Sequence, residues 1–155
     1  MSRSAPSRGR VSPPWAFAAL AMVLFIWGNS LVPGTESAGL SLAVVEAVQG
    51  ALDALGIPSG WVSNFLVRKT AHFCEYALLG FLMAQALDPG RTPSLRVLVP
   101  LALVLVLVPS LDETIQLFVE GRSGRLADVL LDCCGAATAV LVRGLVVWRE
   151  PGERT

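Results

Sequence analysis

The sequence predicts an all-α integral membrane protein: a four-transmembrane-helix bundle with an amphipathic interfacial helix between the first two spans. Of its 155 residues, 54% are hydrophobic and 15% are charged, whereas about a quarter of the residues of a soluble domain are charged. Apolar stretches also recur along the chain at the length of about 20 residues that a helix needs to cross a bilayer. We expect one domain, because a chain of this length is too short for two.

The first span is predicted at residues 15–32, after a polar tail at 1–14 that we expect to be disordered. A basic start followed by an apolar core also fits a cleavable signal peptide. However, Glu36 stands where signal cleavage requires a small residue, which favours an uncleaved first span.

A more polar helix is predicted at residues 38–55. Its apolar residues recur at helical spacing, while Glu46, Gln49 and Asp53 fall on the opposite side. This pattern is typical of an amphipathic helix that lies on the membrane surface. Gly56 follows the last apolar residue and is expected to end the helix.

Three further spans are predicted at 70–87, 95–119 and 126–148, followed by a short tail at 149–155. They are separated by polar turns that contain glycine. Four spans place both termini on one side of the membrane. The 12 lysines and arginines divide into eight on that side and four on the other. The positive-inside rule therefore predicts a multi-pass protein of the cell membrane with both termini cytoplasmic.

Acidic residues interrupt the spans at their outer ends. Five of them fall within the predicted spans: Glu75, Asp112, Glu113, Asp128 and Asp132. A charge in hydrocarbon costs several kcal/mol unless it is paired or hydrated. Three helices carry such residues at the same membrane depth, so we expect these residues to face one pocket that opens outward.

Helical spacing places the other polar residues of these helices beside the acids. The predicted binding residues are Lys69, His72, Glu75, Asp112, Glu113, Gln116, Arg122, Ser123, Arg125, Asp128 and Asp132. The alternative is purely structural pairing between helices, in which Asp132 would be a buried partner of Arg125. No cofactor and no metal are predicted, because a lone histidine is more often hydrogen-bonded than metal-bound. A divalent ion held by His72 and the nearby acids is the less favoured alternative.

Two segments resemble the VanZ-like family. Residues 68–80, RKTAHFCEYALLG, resemble its Arg-Lys-x-x-His-Phe-x-Glu-Tyr-x-x-Leu-Gly segment. Residues 112–124, DETIQLFVEGRSG, resemble its Asp-Glu-x-x-Gln-x-Phe-x-x-Gly-Arg-x-(Gly/Ala) segment, and Asp128, Asp132 and Gly135 continue the likeness. The resemblance implies a small multi-pass bacterial membrane protein. The family is named for an accessory factor in resistance to the glycopeptide teicoplanin, so the resemblance implies a cell-envelope context but no reaction.

Three functions follow from these features, and a binding protein is favoured over an enzyme. The leading hypothesis is a site that binds or handles an envelope lipid or a lipid-linked precursor, with Lys69, Arg122 and Arg125 binding phosphate or carboxylate. The second is a hydrolase or transferase of a lipid phosphate, with His72 as the candidate catalytic acid or base. Proton-coupled transport is disfavoured, because the inner halves of the spans are apolar apart from Arg143. No basic run indicates nucleic acid, and the sequence predicts no oligomeric state.

Overall fold

The computed structural model describes residues 11–87 and 95–148. These residues form five helices and no strand: α1 (Pro13–Ser30), α2 (Gly34–Ala54), α3 (Asn64–Leu87), α4 (Leu95–Gln116) and α5 (Leu126–Trp148). The prediction of an all-helical fold is confirmed. The predicted tail at 149–155 and the first ten residues of the tail at 1–14 lie outside the described residues.

Two of the described helices are long and apolar enough to cross a membrane by themselves. They contain the stretches Val97–Gln116 and Leu126–Val146. The helices α1 and α2 meet the same requirement only as a pair, which is bent by 108°. The described residues thus provide two such helices, or three if the bent pair is one span. The helix α3 is not among them, because the polar residues of its first half lower its mean hydropathy.

The boundaries of α3 and α4 differ from the predicted ones: α3 begins earlier along the chain and α4 ends earlier. The helix α3 begins at Asn64 rather than at residue 70, because the Ser63 hydroxyl accepts the backbone N–H of Leu66 at 3.2 Å and caps an additional polar turn. The helix α4 ends at Gln116 rather than at 119. The turn that follows uses Gly121 with a φ of 71°, a left-handed conformation that favours glycine.

The corner between α1 and α2 is packed against the turn between α4 and α5. The backbone N–H of Gly34 donates to the carbonyl of Glu120 at 2.9 Å. A Cβ atom on Gly34 would lie 1.9 Å from the carbonyl oxygen of Gly121. From this corner α2 leaves with most of its apolar residues exposed, including Leu40 and Val44. The prediction for this segment was a surface helix with its apolar residues on one side.

The helix α3 is the centre of the fold and packs along α5, α1, α2 and α4. Its closest approach is to α5, where two glycines let the backbones meet. A Cβ atom on Gly80 would lie 2.4 Å from the Ala136 carbonyl oxygen, and one on Gly135 would lie 2.4 Å from that of Phe73. Small residues at helix interfaces are the usual means of close packing in membranes. This contact sets the position of the polar half of α3 relative to α5.

Candidate functional site

Four titratable side chains from three helices meet at the end of the bundle where α3 and α5 begin and α4 ends. They are His72 of α3, Asp112 and Glu113 of α4, and Asp132 of α5, and we call them the His-acid cluster. One nitrogen or oxygen atom from each lies within 4.8 Å of the corresponding atoms of the other three. Asp112 and Asp132 are fully buried, and Glu113 is 4% exposed.

Gln116 holds the two acids of α4 in place from one side. Its Nε2 lies 3.4 Å from Asp112 Oδ2 and 3.3 Å from Glu113 Oε1, and it also donates to the Ser30 hydroxyl at 3.2 Å. The other carboxylate oxygen of Glu113 accepts the backbone N–H of Arg125 at 2.7 Å. The two acids are therefore oriented by an amide side chain and a backbone N–H, without a cationic side chain.

Asp132 lies deepest and is the least satisfied member of the cluster. Its Oδ1 is 3.6 Å from His72 Nδ1, which is longer than an ordinary hydrogen bond. Both of its carboxylate oxygens, and Asp112 Oδ1, are buried without a hydrogen-bond partner among the residues that the structure describes. The buried hydroxyl of Tyr76 lies beside Asp112. Unsatisfied buried groups of this kind are costly, so they require an explanation.

Lys69 and Asp128 form an ion pair beside the cluster. Their side chains are 26% and 17% exposed, and Lys69 Nζ also lies 5.5 Å from the centre of the Phe65 ring. Arg125 has an exposed side chain and contributes its backbone N–H to Glu113. The alternative in which Asp132 pairs with Arg125 is therefore wrong. Asp132 is fully buried, whereas the Arg125 side chain is exposed, and the acid that forms an ion pair with a lysine or arginine here is Asp128, with Lys69.

Two cavities flank the cluster. The first, which we call the α2-side cavity, measures about 240 Å³ and lies between α1, α2 and α3. Its apolar wall includes Ile26, Leu40 and Val44, and its polar wall consists of Asn29, Ser30, Ser37, Ser41, Arg68, His72, Glu75 and Arg122. Asn29 donates to Glu75 Oε1 at 3.3 Å. Arg68 makes no hydrogen bond or ion pair within residues 11–87 and 95–148, so its guanidinium is available to an anion.

The second, which we call the α5-side cavity, measures about 280 Å³. Its lining is mostly polar: Asn64, Phe65, Arg68, Lys69, His72, Gln116, Ser123, Arg125 and Asp128. Arg68 and His72 line both cavities and so form the partition between them. His72 is thereby accessible from two sides while its Nδ1 faces the buried acid.

Arg122 is positioned by the end of α1. Its Nε donates to the Val32 carbonyl at 3.0 Å and its Nη2 to the Asn29 carbonyl at 2.7 Å. The Val32 carbonyl lies just beyond the end of α1, and the Asn29 carbonyl also accepts the backbone N–H of Val32 at 3.2 Å. Burial lowers the pKa of the Arg122 guanidinium, and the neighbouring charge of Arg68 lowers it further. The group remains charged at neutral pH, because the ordinary pKa of arginine is far higher.

All eleven residues that the sequence analysis selected lie in the cluster or line one of the two cavities. Seven polar residues of the site were not selected: Asn29, Ser30, Ser37, Ser41, Asn64, Arg68 and Tyr76. Arg68 and Tyr76 lie in residues 68–80, the segment that resembles the VanZ-like family. This resemblance could have identified both as site residues. Asn29 belongs to α1 and bonds to Glu75 of α3.

A comparison with protein families covers nearly the whole described chain. The family model described as VanZ/LLP1 matches residues 15–147. The chain belongs to the VanZ-like family. No curated protein and no solved structure matches this VanZ-like protein. Its family and its apolar helices identify it as a membrane protein.

The site of this VanZ-like protein offers three kinds of chemistry. The guanidinium of Arg68 can bind a phosphate or carboxylate. His72, next to an acid and accessible from two cavities, can donate or accept a proton. The three carboxylates and the imidazole of the His-acid cluster can bind a cation.

Proposed function

We propose that α1, α3, α4 and α5 of this VanZ-like protein span the bacterial cell membrane, with α2 on its outer surface and both termini in the cytoplasm. The 108° bend between α1 and α2 supports this arrangement, because a helix perpendicular to a span lies parallel to the membrane. The spans and α2 form one transmembrane domain over residues 15–148. Reporter fusions to each terminus test the orientation, and an enzymatic reporter that is active only outside the cell must remain inactive on both.

We propose further that the protein binds or handles an envelope lipid or a lipid-linked precursor by its anionic head group. The observation that supports this proposal is the α2-side cavity, which the unpartnered Arg68 lines together with the apolar residues Ile26, Leu40 and Val44. A guanidinium matches the geometry of phosphate and carboxylate groups, and it is less strongly hydrated than an ammonium group. The nearby hydroxyl of Ser37 can donate to a further head-group oxygen, whereas the hydroxyl of Ser41 donates to the Ser37 carbonyl at 2.9 Å.

The size of the α2-side cavity limits what it can hold. Its volume of about 240 Å³ is below the range of roughly 300–1,000 Å³ of pockets that enclose a drug-sized ligand. It can therefore accommodate a head group but not the chains of a lipid. Leu40 and Val44 of α2 line the cavity and are exposed, so the chains would extend from there into the bilayer.

Replacing Arg68 with glutamine is expected to reduce the bound anionic lipid several-fold, because the substitution removes the only cation of the described α2-side lining that has no protein partner. The measurement is mass spectrometry of lipids that co-purify with the full chain in a mild detergent. Arg125→Gln is the matched control, since Arg125 lines only the α5-side cavity. Identical lipid profiles for wild type, Arg68→Gln and Arg125→Gln would count against the proposal.

An effect on teicoplanin susceptibility is part of this proposal, as a consequence of binding a lipid-linked precursor at the membrane surface. Expression of the wild-type chain in a susceptible Gram-positive host is expected to raise the inhibitory concentration of teicoplanin, and Arg68→Gln is expected to raise it less. Equal inhibitory concentrations for the wild type and an empty vector would remove this part of the proposal and leave lipid binding to be judged separately.

A second function is favoured by the position of His72. This residue lies beside Asp132 and lines both cavities, which suits a general acid or base in the hydrolysis or transfer of a lipid phosphate. In that case the purified protein releases phosphate from a polyprenyl phosphate. His72→Gln is expected to abolish this release while its thermal midpoint stays within a few degrees of that of the wild type. Absence of release by folded wild-type protein would exclude hydrolysis of that substrate.

A further inference from the structure

The His-acid cluster carries more negative charge than the surrounding protein balances. It contains three carboxylates and one imidazole, and Asp112 and Asp132 have no exposed surface. Even a protonated His72 would balance only one of the three acids. An uncompensated buried charge costs several kcal/mol, so the cluster requires bound protons or a bound cation.

The cationic side chains nearby are directed elsewhere. Lys69 is paired with Asp128, and Arg122 donates to two carbonyls at the end of α1. Arg125 has an exposed side chain. Among the described residues, no lysine or arginine forms an ion pair with Asp112, Glu113 or Asp132. These acids are therefore not explained as members of structural ion pairs.

Four atoms of the cluster are buried without a hydrogen bond to the residues that the structure describes. Asp132 is 0% exposed and both of its carboxylate oxygens are buried without a hydrogen bond. Asp112 Oδ1 and His72 Nδ1 are in the same situation. The hydrogen bonds to Asp112 and Glu113 come from Gln116 and from the backbone of Arg125. These contacts leave Asp112 Oδ1 free and orient the two acids, as outer groups do around metal ligands.

The dimensions of the cluster fit a small divalent ion. Tetrahedral zinc binds nitrogen and oxygen ligands at about 2.0–2.2 Å, which places the ligand atoms about 3.3–3.6 Å apart, whereas opposite ligands of an octahedral ion lie at most about 4.4 Å apart. The His72 and Asp132 atoms are 3.6 Å apart, and the whole set lies within 4.8 Å. Side-chain rotations that bring the outermost atoms together by a few tenths of an ångström for an octahedral ion, or by about 1 Å for tetrahedral zinc, close the difference. The imidazole ligand disfavours Ca²⁺ and Mg²⁺, which prefer oxygen donors.

We propose that His72, Asp112, Glu113 and Asp132 bind one divalent transition-metal ion, Zn²⁺ or Mn²⁺. This site is distinct from the lipid proposal, because it depends on the cluster and not on Arg68. It was the less favoured alternative from the sequence, which also grouped Glu75 and Asp128 with His72. The structure instead places Glu75 against Asn29 and Asp128 against Lys69.

The test is a metal titration of the full-length protein in detergent after treatment with a chelator. Zn²⁺ binding is followed by calorimetry, and Mn²⁺ binding by the loss of the free-ion signal in electron paramagnetic resonance. The wild type is expected to bind one ion per chain. Asp132→Asn keeps the shape of the side chain and is expected to bind at least about 100-fold more weakly, whereas Gln116→Ala, which removes an outer contact, is expected to lose about 10–100-fold.

Asp128→Asn is the matched control, because it makes the same substitution one turn away on the same helix but outside the cluster. It is expected to bind the ion as the wild type does. Thermal unfolding without metal shows whether each variant folds. When the ion is added, the thermal midpoint is expected to rise only in proteins with an intact His-acid cluster.

Absence of saturable binding by folded wild type would overturn the metal site and indicate that the acids share protons. Equal binding by Asp132→Asn would overturn it as well. Arg68→Gln separates the two proposals, since it is expected to lose lipid and retain the ion.

Discussion

Replacing Gly135 with alanine is expected to lower the thermal midpoint of the protein by about 5 °C or more and to separate His72 from Asp132. The new Cβ atom would lie 2.4 Å from the carbonyl oxygen of Phe73, so that α5 has to move away from α3. Overpacking of this kind typically costs about 1–3 kcal/mol, and 1 kcal/mol corresponds to roughly 2–4 °C in a protein of this size. The effect is concentrated at the site, because Phe73 follows His72 and Gly135 is one turn after Asp132.

Gly144→Ala on the same helix is the control for this prediction. A Cβ atom on Gly144 meets nothing within 4 Å, and alanine is the better helix former by about 1 kcal/mol. Its thermal midpoint in detergent is therefore expected to stay the same or rise. An unchanged midpoint for Gly135→Ala would show that the two helices do not approach as closely as described.

Replacing Arg122 with alanine is expected to destabilise the protein by about 2–4 kcal/mol. The side chain donates to the carbonyls of Asn29 and Val32, and hydrogen bonds to a charged group are worth about 1.5–3 kcal/mol each. Its loss leaves the Val32 carbonyl without this donor, leaves the Asn29 carbonyl only its bond with the Val32 N–H at 3.2 Å, and releases the turn between α4 and α5 from the corner before α2. The measurement is the thermal midpoint in detergent, together with the amount of folded protein in the membrane.

Arg125→Ala is the comparison for Arg122→Ala, since the side chain of Arg125 is exposed and its backbone N–H, which bonds to Glu113, is retained. Exposed substitutions usually change stability by less than about 0.5 kcal/mol. Arg122→Lys is expected to recover only part of the loss, because one ammonium group does not reproduce the planar set of donors of a guanidinium. Equal midpoints for Arg122→Ala and Arg125→Ala would contradict the structural role of Arg122.

The helices could be predicted because their cause is local. Long apolar stretches and the scarcity of charge predict helices in lipid, and helical spacing places Lys69, His72 and Glu75 on one side of α3. The boundaries were less accurate at α3, where the polar turn 64–69 extends the helix. The predicted span began after the charged residues Arg68 and Lys69, because charges are disfavoured within a span. That rule does not predict that the Ser63 hydroxyl caps the helix five residues before Arg68.

The identity of the site residues could also be predicted, because charged groups in an apolar helix are costly unless they have partners or a function. This reasoning selected His72, Asp112, Glu113 and Asp132 individually. It did not select Arg68, which is located next to Lys69 at the start of α3. The two residues differ in the structure, since Lys69 forms an ion pair and Arg68 lines both cavities without a protein partner.

The amino-acid sequence is sufficient to predict that this protein is helical and apolar, with a set of acids at one end of three helices. Which partner each of these acids has depends on how the helices pack. This packing pairs Asp128 with Lys69, leaves Asp132 facing His72, and satisfies Glu113 through the backbone of Arg125. The physical reason is that helical periodicity determines which residues share a face, whereas the rotation and offset between helices depend on close contacts such as that of Gly135 with Phe73.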